Sequence, residues 1–387
     1  MSRELTGPTV TPGSDLRLRA GIGPGRPAGR AAALIADAFA AGTGIGTAGA
    51  LELARRLGTE LPGPGRGRTA ELWEALAEVA ARDLGAARTV EPHLDALAIL
   101  DQLPDADRDR VAAVGAGPDS TWGVFAAEGQ GLRLEAHGAR GGPTQLLTGG
   151  KPWCSLAGSL THAVVTAHPA TAGVPADGQA TGDARRAFAV DLRHPGVTVA
   201  DAAWVGLGLP TVPSGPVEFA SVPAVPVGEP GWYLRRPGFA WGGIGVAACW
   251  YGGAVGVARL LATQARRRGD GLDQIGLMLL GQVDVALVAA RTALADAAER
   301  VDAGGATGSA GALLALRVRA VVADAAETVL RAVGHGTGPA PLAFDAEHAH
   351  RVADLQLYLR QEHAERDRAA LGRSLLTRLA DDEELPW

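Results

Sequence analysis

A chain of 387 residues, 47% hydrophobic and 20% charged, has enough apolar material for two or three packed units and is too apolar to stay disordered. The net charge is −6 with both signs interspersed, so no basic stripe exists to neutralise phosphates, which argues against nucleic-acid binding. The two cysteines, Cys154 and Cys249, are far apart and follow no export signal, which predicts reduced thiols in a cytoplasmic protein.

Residues 1–27 are polar and rich in Gly and Pro, and read as a loose arm. Residues 28–115 read as a helical domain. "AGRAAALIADAFAAG" and "TAGALELARRLGTEL" are Ala-rich helices, and Leu72, Leu76, Val79 and Ala80 fall on one face of a third. Thr69 is the predicted N-cap of that helix, and Pro92 predicts a break before a further helix near His93.

Over 116–235 the apolar residues come in short runs punctuated by Gly, Pro, Asp and Ser. "LRLEAHG", "AVVTAH", "AFAVDLRHPGVTV" and "PVEFASVPAVP" read as strands of a small antiparallel barrel or sandwich. Helices return over 236–387, near 240–267, 272–302, 309–333 and 345–379, separated by breaks such as "DAGGATGSAG" and "GHGTGP". Four long helices with short links describe a bundle. The uncharged stretch 240–257 has nearly the length of a membrane span, but its glycines and the arginines at 259 and 266–268 suit a buried bundle helix.

Helical domain, small β domain and C-terminal bundle, an α+β arrangement, resemble the acyl-CoA dehydrogenase family over nearly the whole chain beyond the arm. The strongest local match is "LLTGGKPWCSLAGSLTHAVVTA", which looks like the family's Gly-x-Lys-x-Trp-Ile-Thr/Ser segment and contains the chain's one lysine, Lys151. The resemblance implies FAD, with the isoalloxazine against Trp153 and Ser155 and with Cys154 between them. A flat cofactor needs an apolar wall and a few fixed donors, which Trp153 and Ser155 would supply. Lys151, at the family's motif lysine, is expected to answer a local need for a flexible ammonium that Arg cannot meet.

Weaker matches extend the implied site. "VFAAEG" (124–129) stands where the family has a Thr-Glu-Pro stretch and makes Glu128 a cofactor-binding candidate. "RRRGDGLDQ" offers Arg268 and Gln274 toward a neighbouring subunit's flavin. "GHGTG" (334–338), read as a loop, offers His335, Gly336 and Gly338. The resemblance further implies a small-molecule substrate such as an acyl-CoA, an electron-accepting flavoprotein, and a homodimer or homotetramer, with a heteromer as an alternative.

Departures from the family are equally specific. At the position of its proton-abstracting carboxylate stand Leu359, Arg360 and Gln361, and an Arg cannot act as a base near neutrality. Glu362 is the nearest carboxylate, read as lying on the final helix. The family's Asp-x-x-Arg pair is absent from "GIGVAACW". Three functions therefore stand side by side: an oxidoreductase of an unusual acyl thioester, a flavin monooxygenase with His335 or His363 near the flavin, and a non-catalytic subunit of a heteromeric dehydrogenase. Straight-chain acyl-CoAs are expected to turn over negligibly. His348 and His350 point to different helix faces, so no metal site is predicted, and neither a P-loop nor a Gly-x-Ser-x-Gly elbow occurs.

Overall fold

The computed structural model describes residues 16, 18, 29–42, 44–138, 144–170, 185–200, 204–381, 384 and 385. Most of the predicted arm thus lies outside the described residues. Of it, Leu16 and Leu18 donate their backbone N–H groups to Glu78 and Glu74.

The N-terminal part consists of α1 (Arg30–Ala38), α2 (Gly46–Glu60), α3 (Thr69–Arg82), α4 (Leu84–Asp101) and α5 (Asp105–Val111). Asp83 caps α4, its side chain accepting from Ala86 N–H. Two local expectations change. Thr69 is the first helical residue rather than the cap, and its hydroxyl instead ties α3 to Asp302. Pro92 lies inside α4 and does not end it. The lost rung is offset by burial, because Val90, Ala96 and Ile99 on the same helix are fully enclosed.

Seven strands follow: β1 (Trp122–Phe125), β2 (Leu134–His137), β3 (Gln145–Ser155), β4 (His162–Pro169), β5 (Arg186–Asp191), β6 (Val197–Val199) and β7 (Ser214–Val227). β4 pairs with β2 and β5, β2 with β3, β3 with β7 and β7 with β5, which closes a small barrel. It is mixed rather than purely antiparallel. β1 and β2 lie parallel to β4 on the same edge, with Trp122 opposite His162 and Glu135 opposite His168. The chain leaves β1, makes an excursion, and rejoins that edge further along in the same direction.

The C-terminal part holds α6 (Trp232–Arg235), α7 (Pro237–Arg268), α8 (Gln274–Asp302), α9 (Gly308–Thr337), α10 (Ala340–Phe344), α11 (Ala346–Tyr358) and α12 (Glu365–Ala380). α7 packs so closely on α3 that a Cβ at Gly252 would stand 2.1 Å from the Ala77 carbonyl oxygen. By length and composition α7 and α8 could each cross a membrane, but 78% of the most apolar stretch of α7 is buried inside the protein. The corresponding stretch of α8 is only 22% buried.

Two sequence expectations fail here. The last long helix is interrupted: a tight turn at Leu359–Gln361 follows α11, and α12 starts only at Glu365. "GHGTG" is not a loop, since α9 runs through Thr337. Gly336 belongs to that helix because a Cβ there would meet Leu261 of α7 at 2.9 Å.

The core is continuous from α3 and α4 through α7 to α9, and a second cluster seals α4 against β1, β5 and β7. α4 is therefore the element that touches both the barrel and the bundle.

Candidate functional site

β3 sets the wall of the site. Its register against β7 shifts between Lys151 and Cys154, so Pro152 and Trp153 bulge out of the ladder. Trp153 adopts φ 57°, a backbone conformation that bulky residues avoid, and its side chain is 60% exposed. An exposed, backbone-strained aromatic is poor core design, and such strain clusters at functional sites. Two residues on, the Ser155 hydroxyl lies 2.7 Å from that of Ser214 on β7.

Below the bulge the chain's one lysine is fully enclosed. Lys151 Nζ donates to Glu128 Oε1 at 2.6 Å and to Thr166 Oγ1 at 3.0 Å. Glu128 also meets His168 Nε2 and Arg185 Nη1, each at 3.0 Å. Burial alone would raise the Glu128 carboxyl, but the Lys151 ammonium, with His168 and Arg185, overrides it and brings it down to about 2. Glu128 is thus the hub of a charge cluster that anchors β3 to β4. Cys154, next to the bulge, points inward; burial pushes its thiol up to about 12, so it is not a reactive thiolate.

The opposite side comes from α4, α7, α9 and α11. Arg88 on α4 reaches the wall, Nη2 donating to Ser155 Oγ at 3.3 Å. The same guanidinium lies 4.0 Å from Glu91 and over the Tyr358 ring, at 5.6 Å from its centre. Burial pushes the Glu91 carboxyl up to about 7, with Asp95 adding to the rise and Arg88 and Arg319 opposing it. Burial likewise keeps Tyr358 and Cys249 protonated. Arg319 on α9 covers the Trp250 ring at 4.6 Å and donates to the backbone carbonyls of Gly243 and Gln361. Two buried polar atoms around these groups, Trp250 Nε1 and Glu362 Oε1, have no hydrogen-bond partner among the described residues, and the Tyr358 hydroxyl faces the Cys249 thiol.

The candidates from sequence fall into separate places. Trp153 and Ser155 meet Arg88, a residue the sequence reading did not single out. Glu362 follows the end of α11 rather than riding a helix; it is buried, and its Oε2 accepts from Ala364 N–H at 2.6 Å. Arg268, Gln274, His335, Gly336 and Gly338 gather at the end of the bundle where α7 finishes, α8 begins and α9 closes. Among the described residues no hydrogen bond or ion pair joins that end to β3. His335 is exposed, and His363 is exposed and paired with Asp367 at 3.2 Å. Neither stands beside the wall. Among the described residues no group of His, Cys, Asp and Glu could hold a metal ion.

Arg88, Glu91 and Asp95 were legible in principle as a polar stripe at i, i+3 and i+7 on an otherwise apolar helix. What hid them is that such a stripe reads equally well as the solvent face.

No family model matches the chain, and no curated protein sequence matches it. Solved structures do. KijD3 in complex with FMN and a dTDP-linked amino-keto sugar superposes with TM-score 0.73 at 20% identity, over 96% of this chain and 98% of that one. FMN-bound TdsC from Paenibacillus sp. A11-2, a dibenzothiophene monooxygenase, gives TM-score 0.72 at 18% identity over 90% and 96%. Butyryl-CoA dehydrogenase from Megasphaera elsdenii gives 0.71 at 18% identity over 89% and 96%. The chain therefore has the acyl-CoA dehydrogenase fold.

The residues present suit a flavin. Trp153 offers an exposed flat face, and Ser155 and Ser214 offer hydroxyls at its edge.

Proposed function

We propose that this chain is a flavin-dependent oxidoreductase of a small molecule, with FAD as the flavin and an unusual acyl thioester as the substrate. The observation that carries the reading is the exposed, strained Trp153 beside the Ser155 hydroxyl and facing Arg88, on a scaffold whose structural relatives include flavin-bound proteins. A bound flavin would supply two-electron chemistry. The chain's own residues would do the rest. Trp153 stacks on the ring system, Ser155 directs a hydroxyl to its edge, and the α4 and α11 side chains close the opposite face and exclude water.

Glu362 is the proposed proton acceptor. Its Oε2 is fixed by Ala364 N–H, while Oε1 is buried and without a partner, which leaves one carboxylate oxygen oriented and available. The test is solvent-deuterium exchange at the α-carbon of a bound acyl-CoA, which should vanish in Glu362→Gln.

Oxygen insertion is the second reading. It is favoured by the fact that the side chain meeting the wall is Arg88, not a carboxylate. Substrate-dependent oxygen consumption with externally reduced flavin, unaffected by Glu362→Gln, would select it.

The proposed assembly is a homodimer or homotetramer. Ile275, Leu277, Met278, Val285 and Val288 leave one apolar side of α8 open, a surface that a second copy would cover. Light scattering on the purified chain should report a mass at least twice 39.4 kDa.

A further inference from the structure

The site contains two buried guanidinium groups, and they differ in what holds them. Arg319 has its nitrogens committed, Nη1 to Gly243 O at 2.9 Å and Nη2 to Gln361 O at 2.8 Å. Arg88 does not. Its side chain is 16% exposed, its one hydrogen bond among the described residues is the 3.3 Å contact to Ser155, and its ion pair with Glu91 is long, at 4.0 Å. A guanidinium carries five N–H donors in a rigid fork, and the single bond to Ser155 leaves most of them open to a ligand. Glu91 does not neutralise it fully, because burial holds that carboxyl protonated through much of the neutral range.

Nearby donors point the same way. Tyr358, whose ring lies under the Arg88 guanidinium, turns its buried hydroxyl toward the Cys249 thiol. Ser155 and Ser214 contribute hydroxyls. A guanidinium fork beside a pair of hydroxyls fits a planar monoanion.

We infer that Arg88 is a specificity-determining anchor for a carboxylate on the substrate, received by its guanidinium fork. The inference rests on the flavin reading for where the substrate lies. The substrate is accordingly an acid, or a thioester of a dicarboxylic acid, rather than a simple alkyl chain.

Succinyl-CoA and butyryl-CoA have the same chain length and differ in a terminal carboxylate. Their dissociation constants are to be measured on the FAD-loaded full chain by flavin difference spectra and by calorimetry. Succinyl-CoA should bind at least tenfold tighter, Arg88→Met should erase that preference while retaining flavin, and Arg88→Lys should keep part of it. Equal affinities in the unaltered protein would overturn the inference. So would a preference that survives Arg88→Met, or flavin loss in that variant, which would make Arg88 a cofactor residue. If the chain takes up no flavin, the flavin reading fails by itself, and benzoate against benzamide in calorimetry still decides the anchor. Benzoate binding that disappears in Arg88→Met supports it, and no preference for benzoate refutes it.

Discussion

Lys151 Nζ lies 2.6 Å from Glu128 Oε1 inside the barrel, and the lysine side chain is 2% exposed. This pair explains why an arginine-rich chain keeps one lysine. The slot between β3 and β4 admits a compact ammonium on a thin stem, and a planar guanidinium would not fit beside Thr166. Removing one partner of a buried pair strands the other charge, at a cost of about 3–5 kcal/mol where both are enclosed. Glu128 is partly solvated, so Lys151→Met should cost about 2 kcal/mol, and Lys151→Arg should also destabilise. Urea unfolding at neutral pH measures both.

The same cluster predicts an acid limb. The Glu128 carboxyl is held at about 2, below its unfolded value of 4.5. Its contribution is therefore complete above pH 4.5 and fades as pH falls toward 2. Thermal midpoints of the unaltered protein should drop over that window, and Glu128→Gln should show a shallower drop.

Glu91 acts in the opposite direction. Its carboxyl is raised from 4.5 to about 7, so the folded state holds a proton that the unfolded state has released. Stability falls as pH rises between those values, by at most about 3 kcal/mol. The groups facing it are Arg88 and Asp95 on its own helix, Cys249 on α7, Arg319 on α9 and Tyr358 on α11; of these it is the two arginines that limit the penalty. Glu91→Gln should gain on the unaltered protein between pH 5 and pH 8.5. A constant difference in thermal midpoint across that range would contradict the account.

At the α11–α12 junction Ala364 holds φ 49° and ψ −118°, a region that favours glycine. Ala364→Gly should stabilise the chain by about 1 kcal/mol, since the Cβ is the source of strain. Glu362→Gln keeps an acceptor for Ala364 N–H and should leave the fold intact. Chemical denaturation separates that structural role from any loss of α-proton exchange.

The fold was legible because its signals are periodic. The order of helical, strand and helical segments follows from where the apolar spacing changes, and each quoted strand run contains a real strand. What failed was local and depended on neighbours. Pro92 reads as a break, yet packing of α4 on both sides carries the helix through it. "GHGTG" reads as a loop, yet α9 runs through Thr337, with Gly336 set close against Leu261 of α7. Glu362 reads as helical, yet α11 ends at Tyr358 and a tight turn over Leu359–Gln361 precedes it. The Trp153 wall was found through its resemblance to a family segment, since one exposed tryptophan has no periodic signature. Arg88 was missed because its importance lies in Ser155, which is 67 residues away in sequence.

The central claim is a flavin stacked on Trp153, and its most direct measurement is flavin binding by the unaltered chain and by Trp153→Ala. Stacking of this kind contributes about 1 kcal/mol, or roughly a fivefold change in dissociation constant, and Trp153 is too exposed for its loss to unfold the protein. The account predicts about one FAD per chain, with quenched Trp fluorescence on binding. It also predicts at least fivefold weaker retention in Trp153→Ala at an unchanged thermal midpoint of the flavin-free chain. A chain that binds no flavin, or a Trp153→Ala variant that holds FAD as tightly as the unaltered protein, would contradict it.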